Sequence, residues 1–99
     1  MARFGVYRHP EGVGYLLDVQ ADLLDHLNTR MVVPLLPLDR APKPAKTLNP
    51  VFEVEGKEVS MVTQFMAAVP ARMLTATVPG LEDRRAEITS ALDLLFQGV

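Results

Sequence analysis

LEDRRAEITSALDLLFQGV, residues 81–99, is where the hydrophobic period of the chain changes. Leu81, Ile88, Leu92 and Leu95 follow at offsets of seven, four and three, which lays them along one face of an α-helix. Glu82 and Asp83 fall in the first turn, where the helix dipole favours negative charge. Gly98 stands where a left-handed C-cap is expected, and Arg85, Thr89 and Asp93 lie on another face. Pro79-Gly80 sets this helix off from everything before it.

Upstream, the residues favour strands. Residues 3–8 carry Phe4, Val6 and Tyr7 and stop at His9-Pro10, where proline removes a ladder donor. Gly12 and Gly14 supply a turn, so 15–20 forms the second arm of a hairpin. Residues 21–28 mix Asp22, Asp25 and His26 with leucines and are expected to be a connection with one helical turn. Residues 30–33 make a short, almost wholly apolar strand suited to a central position, closed by Pro34. From 36 to 49, Pro37, Pro42 and Pro44 alternate with Asp39, Arg40, Lys43 and Lys46, a composition of an exposed loop. Residues 51–55 and 58–65 flank Gly56-Lys57 as a second hairpin, 67–70 end that run at Pro70, and 73–78 form a last strand. The expected fold is mainly β, six or so strands followed by one C-terminal helix, in a single domain spanning 1–99.

Composition narrows the function. The 99 residues are 48% hydrophobic and 22% charged, a globular balance rather than a disordered one. So short a chain buries only roughly 60–65% of the surface it exposes unfolded, and its apolar excess favours self-association. Ten basic against twelve acidic residues leave a net charge of −2, with the basic ones scattered; direct binding to bare nucleic acid is disfavoured. The absence of cysteine excludes disulfides, thiolate metal sites and cysteine nucleophiles. Two histidines make a zinc site improbable, and no cofactor is implied. The start, MARFGVYRHPEG, has no apolar h-region, and no run of about 18 apolar residues follows. The expectation is a cytoplasmic protein with no membrane contact.

Candidate chemistry is sparse. Asp18, Asp22, Asp25 and His26 form the densest acidic cluster, but no second histidine has metal spacing to it, so a solvated face or turn capping is the expected role. His9 before Pro10 is expected at a strand end on the surface. Ser60 and Ser90 have no His–Asp arrangement readable from spacing.

Five motifs in register carry a resemblance: FGVYRHPEG with YLLDVQADLLD, then RMVVPL, LNPVFEVEGKE, MAAVP and finally LLFQGV. Their order over almost the whole length resembles the CcdB family, toxins of bacterial toxin–antitoxin pairs. Asp18-Val19-Gln20 with Asp22, the segment 30–35 and the segment 66–70 are the matching positions. The resemblance implies a strongly bent antiparallel sheet of SH3-like barrel type with a C-terminal helix, and a homodimer. It also implies a non-enzymatic poison that binds the A subunit of DNA gyrase and traps its cleaved complex with DNA. A cognate, CcdA-like antitoxin would neutralise it, and the pair would repress its own promoter, so operator DNA is met only as the toxin–antitoxin complex. A two-fold symmetric toxin meeting a two-fold symmetric target gains avidity.

In that family the helix is followed by Trp, Gly and Ile, which carry the killing activity. The matching positions here are Gln97, Gly98 and Val99, so the implied gyrase contact comprises Asp93, Phe96, Gln97, Gly98 and Val99. Gln97 departs from the pattern. Tryptophan would supply a large anchor able to stack on an arginine, and its loss could cost on the order of 2–4 kcal/mol of binding. Arg85 and Ala86 stand where the family has a glutamate and an asparagine, and Asp93 stands in place of another asparagine. Three readings follow: a gyrase with a compensating surface, a different target, or a weakened toxin. Phe96 and Val99 either face a partner or cap the core beneath the helix. An acidic, disordered antitoxin tail is implied to cross the Pro-rich loop, where Arg40, Lys43 and Lys46 suit it. One enzymatic alternative comes from the fold alone: MazF/Kid toxins share the barrel and cleave messenger RNA, with Arg30 and Thr63 as the residues to fill such roles here.

Overall fold

The computed structural model describes residues 3–98, and within them the chain is an antiparallel sheet curled into a half-barrel around one helix. Its strands are β1 (Val6–Arg8), β2 (Tyr15–Asp18), β3 (Thr29–Pro37), β4 (Val51–Val54), β5 (Lys57–Met61), β6 (Ala67–Pro70) and β7 (Thr77–Val78). Helix α1 runs over Arg85–Gln97 and is entered through a 3-10 turn at Glu82–Arg84. Strand order is β4-β5-β3-β2-β1-β7, with β6 pairing the first part of β3.

Residue alternation explains why the middle strands look so apolar. Val6, Leu17, Val33 and Leu35 point into the main core against Phe52, Val59, Met61 and the helix residues Ile88 and Ala91. Tyr7, Leu16 and Val32 point to the other face, where Leu74 covers them. Strands buried on both sides need no polar alternation. Ile88 is wholly buried, a side chain whose removal from water is worth roughly 1.5–3 kcal/mol, and it holds α1 to the sheet. No helix among the described residues is long and apolar enough to cross a membrane.

The expected outline stands, but several boundaries move. The strand expected over 30–33 runs from Thr29 to Pro37, straight through Pro34. β3 pairs β6 from Thr29 to Val32 and β5 from Leu35 to Pro37. Pro34 falls in the gap between those two ladders, where the missing N–H costs nothing, and its carbonyl accepts from Val62 N–H at 3.0 Å. Residues 67–70 are a paired strand, whereas the strand expected over 73–78 shrinks to two residues. β1 begins at Val6 rather than residue 3, because Phe4 takes a left-handed backbone, φ 72°. β2 ends at Asp18 rather than residue 20, and β5 at Met61 rather than residue 65, where a 3-10 turn follows.

The Pro-rich segment is also not open throughout. Leu36 and Pro37 belong to β3, and Asn49 is buried. The Asn49 amide donates to Met61 O at 3.0 Å and Gln64 Oε1 at 2.8 Å, while its Oδ1 accepts from Ala45 N–H at 2.9 Å. The exposed part of the loop therefore leaves β3 and is pinned where it enters β4. The turn of the second hairpin lies at Glu55-Gly56, one position earlier than expected, with φ of 51° and 78°. Both left-handed values suit the twist of a tight hairpin.

Candidate functional site

Helix α1 presents two surfaces. Ile88 and Ala91 are buried and Leu92 is packed against the core, so the expected stripe holds through its middle. It fails at the end: Leu95 is exposed and Phe96 is 70% exposed. Capping of the core by Phe96 is thereby excluded, since a capping side chain would be covered. Gly98, φ 74°, closes the helix by donating its N–H to Leu94 O at 3.0 Å, the left-handed cap expected of glycine. Gln97 extends its amide toward Asp93 Oδ1 at 3.5 Å across one helical turn. Asp93, Phe96, Gln97 and Gly98 thus share the last turn of α1, and Val99 lies outside the described residues.

The start of the helix is occupied differently. Arg84 pairs with Glu87 at 2.5 and 3.0 Å and lies 4.9 Å over the Phe52 ring, which draws the Glu87 carboxyl below its ordinary range. Arg85 lies 5.9 Å from the centre of the Phe4 ring, over which Arg3 also sits at 4.6 Å. A groove of about 420 Å³ separates Thr47 and Pro50 from Ala86, Glu87 and Ser90. The end of the basic loop therefore abuts the first half of α1, while Phe96 stands about 9–15 Å further along the axis at 1.5 Å per residue. Arg40, Lys43 and Lys46 are all exposed, and none of the three side chains is ion-paired among the described residues. The two sets of site residues are not brought together into one pocket.

The acidic cluster divides: Asp22, Asp25 and His26 are exposed, as expected of a solvated face, and Asp18 is buried. Asp18 is sealed in the protein, accepting from Arg30 Nε at 2.8 Å and from Gln20 N–H at 3.0 Å. Burial pushes its carboxyl above the ordinary value, with Arg30 and Gln20 pulling it partly back. Asp22 accepts from Arg3 N–H, Asp25 pairs with Arg30, and His26 is exposed. No metal-holding group of three such side chains occurs among the described residues. Arg30 is 1% exposed and Thr63 is buried, its Oγ1 donating to Leu48 O at 2.5 Å. Neither can reach a nucleic acid, which removes the pair that the RNA-cleaving alternative required.

A family model described as CcdB protein matches residues 3–98. The chain belongs to the CcdB family. It is accordingly a toxin of the toxin–antitoxin kind. Within this CcdB chain, two features escaped the sequence reading. Leu23, the most exposed large apolar residue described at 87%, sits in the 3-10 turn Asp22–Leu24, with Leu24 and Leu27 also exposed. Two adjacent leucines in a segment without strand or helix period were the available signal. The second is a polar cluster on the rim of the first hairpin. Glu55 accepts from Tyr15 Oη at 2.8 Å and from Arg8 through both its oxygens. Arg8 and Tyr15 hold the Glu55 carboxyl below its ordinary range, while burial and the Glu55 charge push the Tyr15 hydroxyl up.

Proposed function

We propose that this chain is a dimeric, cytoplasmic, non-enzymatic poison of DNA gyrase, engaging the A subunit through the last turn of α1. The observation that carries this reading is Phe96. A large aromatic 70% exposed at the end of a helix whose middle packs on the core, two residues before a left-handed Gly98, has the character of an interface anchor. Asp93, Gln97 and Gly98 flank it, and Val99 completes the contact. Trapping of the cleaved gyrase–DNA complex is part of this reading, supported by the resemblance to the family, and two copies of the chain would present two such ends to a symmetric target.

Neutralisation falls to a cognate antitoxin with an acidic, disordered tail. Arg40, Lys43 and Lys46 support this, since all three project from an exposed loop with charges uncompensated by ion pairs within the described chain. Operator DNA would be met only by the toxin–antitoxin complex.

A second reading rests on Gln97, whose amide turns back to Asp93 and offers little apolar area. A target other than gyrase, or a weakened toxin, would suit that chemistry, as would Arg85 in place of the family's glutamate. The deciding experiment mixes purified full chain, or a variant lacking Gly98 and Val99, with gyrase of the same host and DNA. Cleaved DNA trapped by the full chain alone supports the gyrase reading. A folded dimer that traps nothing points to the second.

A further inference from the structure

His9 follows β1 directly, and its ring stands between two clefts. One, of about 350 Å³, opens on the side of Arg8, Tyr15, Glu55 and Lys57. The other, of about 180 Å³, is lined by Leu16, Val32, Phe65 and Val69. The ring is held by its own turn: Nδ1 accepts from Glu11 N–H at 3.1 Å, and the ring covers Gly12, where a Cβ would come within 3.2 Å of Nδ1. The neck of the turn is closed by His9 N–H, which donates to Gly14 O at 3.1 Å. Beyond that neck residues 10–13 are exposed. Among the described residues, the Glu11 amide is the one N–H of this tip with a partner.

We propose that His9 is a pH-sensitive clasp: the neutral ring fixes the tip of the first hairpin, and the protonated ring releases it while β1 and β2 stay paired. A neutral imidazole keeps one nitrogen free to accept, and an imidazolium has none. Protonation of Nδ1 sets its N–H against that of Glu11, so ring and tip must part. The core does not oppose this movement. No side chain of 10–13 is buried, and the ladder of Val6–Arg8 against Tyr15–Leu17 lies below the tip. Local opening of such an exposed, sparsely bonded segment is far easier than opening of the core. The charged groups that share the larger cleft with the ring are Arg8, Glu55 and Lys57, with the Tyr15 hydroxyl, and Glu11 follows in the turn itself; the smaller cleft brings none. Arg8 and Tyr15 hold the Glu55 carboxyl below its ordinary range, so it stays ionised over the span, about pH 5 to 8, in which histidines change charge. A protonated His9 then adds a third cation beside Arg8 and Lys57, and acidification changes both the wall and the charge of that cleft.

The test follows the full chain and its His9→Asn variant by NMR from about pH 8 to about pH 5. An asparagine oxygen accepts from the N–H two residues on and does not titrate, so the variant keeps the turn and lacks the trigger. At the upper pH the ring proton of His9 is expected on Nε2. Toward the lower pH, protection of the Glu11 amide, taken relative to its rate in an unstructured chain, should fall about threefold or more in the parent, the loss of one ordinary hydrogen bond. It should stay level in the variant, with the amides of β2 and β3 unchanged in both. His26 is common to the two proteins and cancels. A proton on Nδ1 at the upper pH overturns the proposal, as does Glu11 protection that stays level in the parent or falls equally in both.

Discussion

Arg30 donates through Nε to Asp18 Oδ2 at 2.8 Å, and both side chains are shut off from solvent at 1% and 0% exposure. The same guanidinium reaches Asp25 Oδ1 at 3.0 Å and Gln20 O at 3.4 Å. It therefore ties the connection carrying Leu23 to the centre of the sheet. Such a pair is held against desolvation: burial raises the Asp18 carboxyl even beside a cation.

Removing one partner should be costly. Arg30→Ala leaves a sealed carboxylate unpaired, and a loss of about 3–5 kcal/mol is expected, lowering Tm by more than about 10 °C for a domain of this size. In a urea denaturation cycle, the double variant D18L/R30M should cost less than the two single changes added together. Strict additivity would show that the residues do not act as a pair.

Glu55 gives a pH dependence of known sign. Its folded-state carboxyl lies below the ordinary value of 4.5 because Arg8 and Tyr15 hold it ionised. Stability from this group is present above that value and lost as pH falls through the folded one. The Tm advantage of the parent over E55Q should be full at pH 6, shrink below about pH 4.5 and vanish in stronger acid. Glu53 and Glu58, directly opposite each other on the same hairpin, are common to both proteins and cancel in the comparison. An advantage that grows on acidification would contradict this assignment.

Two glycines with similar backbones should respond differently. Gly14, φ 88°, faces the Leu35 carbonyl so closely that a Cβ would fall on its oxygen, whereas Gly56, φ 78°, has open space around it. Gly56→Ala meets only the left-handed penalty of about 1–2 kcal/mol. Gly14→Ala adds a backbone collision and should destabilise clearly more, by about 3 kcal/mol or above. Equal losses in thermal melts would show that the hairpin yields at Gly14.

How far the sequence carried the fold depends on what each residue had to encode. The helix was legible because Leu81, Ile88 and Leu92 of the periodic stripe do pack on the core, and the hairpins because glycine marks their turns. Pro34 misled, since a one-dimensional reading takes proline as a strand end and cannot see β3 exchanging β6 for β5 around it. Ala67 and Ala68 carry no period to reveal β6. At the site, Gly98 was legible as the left-handed cap of the helix, while the exposure of Phe96 was not fixed by sequence, which left it between a partner and the core. The Arg8–Tyr15–Glu55 cluster was not legible, because contacts spanning 40 and 47 positions leave no local mark.

Phe96 separates stability from function. Being 70% exposed, its replacement by alanine should change stability by no more than about 0.5 kcal/mol. Binding to the target should fall by about tenfold or more if it is an anchor. Calorimetric melting beside a gyrase A binding titration reads both quantities. A large loss of Tm would return Phe96 to the core, against its exposure.

Gln97 offers the converse test. Its amide is exposed and spends its contact on Asp93 at 3.5 Å, so Gln97→Trp disturbs no packing. If gyrase is the target and its surface accepts the family's aromatic, the substitution should tighten binding by about 2–4 kcal/mol, the size of an interface anchor. A gyrase that has diverged to meet glutamine would instead bind the tryptophan variant more weakly, because the polar group opposite Gln97 would be left without a partner. Titrating parent and variant against the host gyrase A subunit, and against one whose own toxin ends in tryptophan, distinguishes these cases. Tightening toward both would show that the target surface is shared, and a reversal of preference between them would show that Gln97 sets specificity. No binding of either protein to either subunit would remove gyrase as the target.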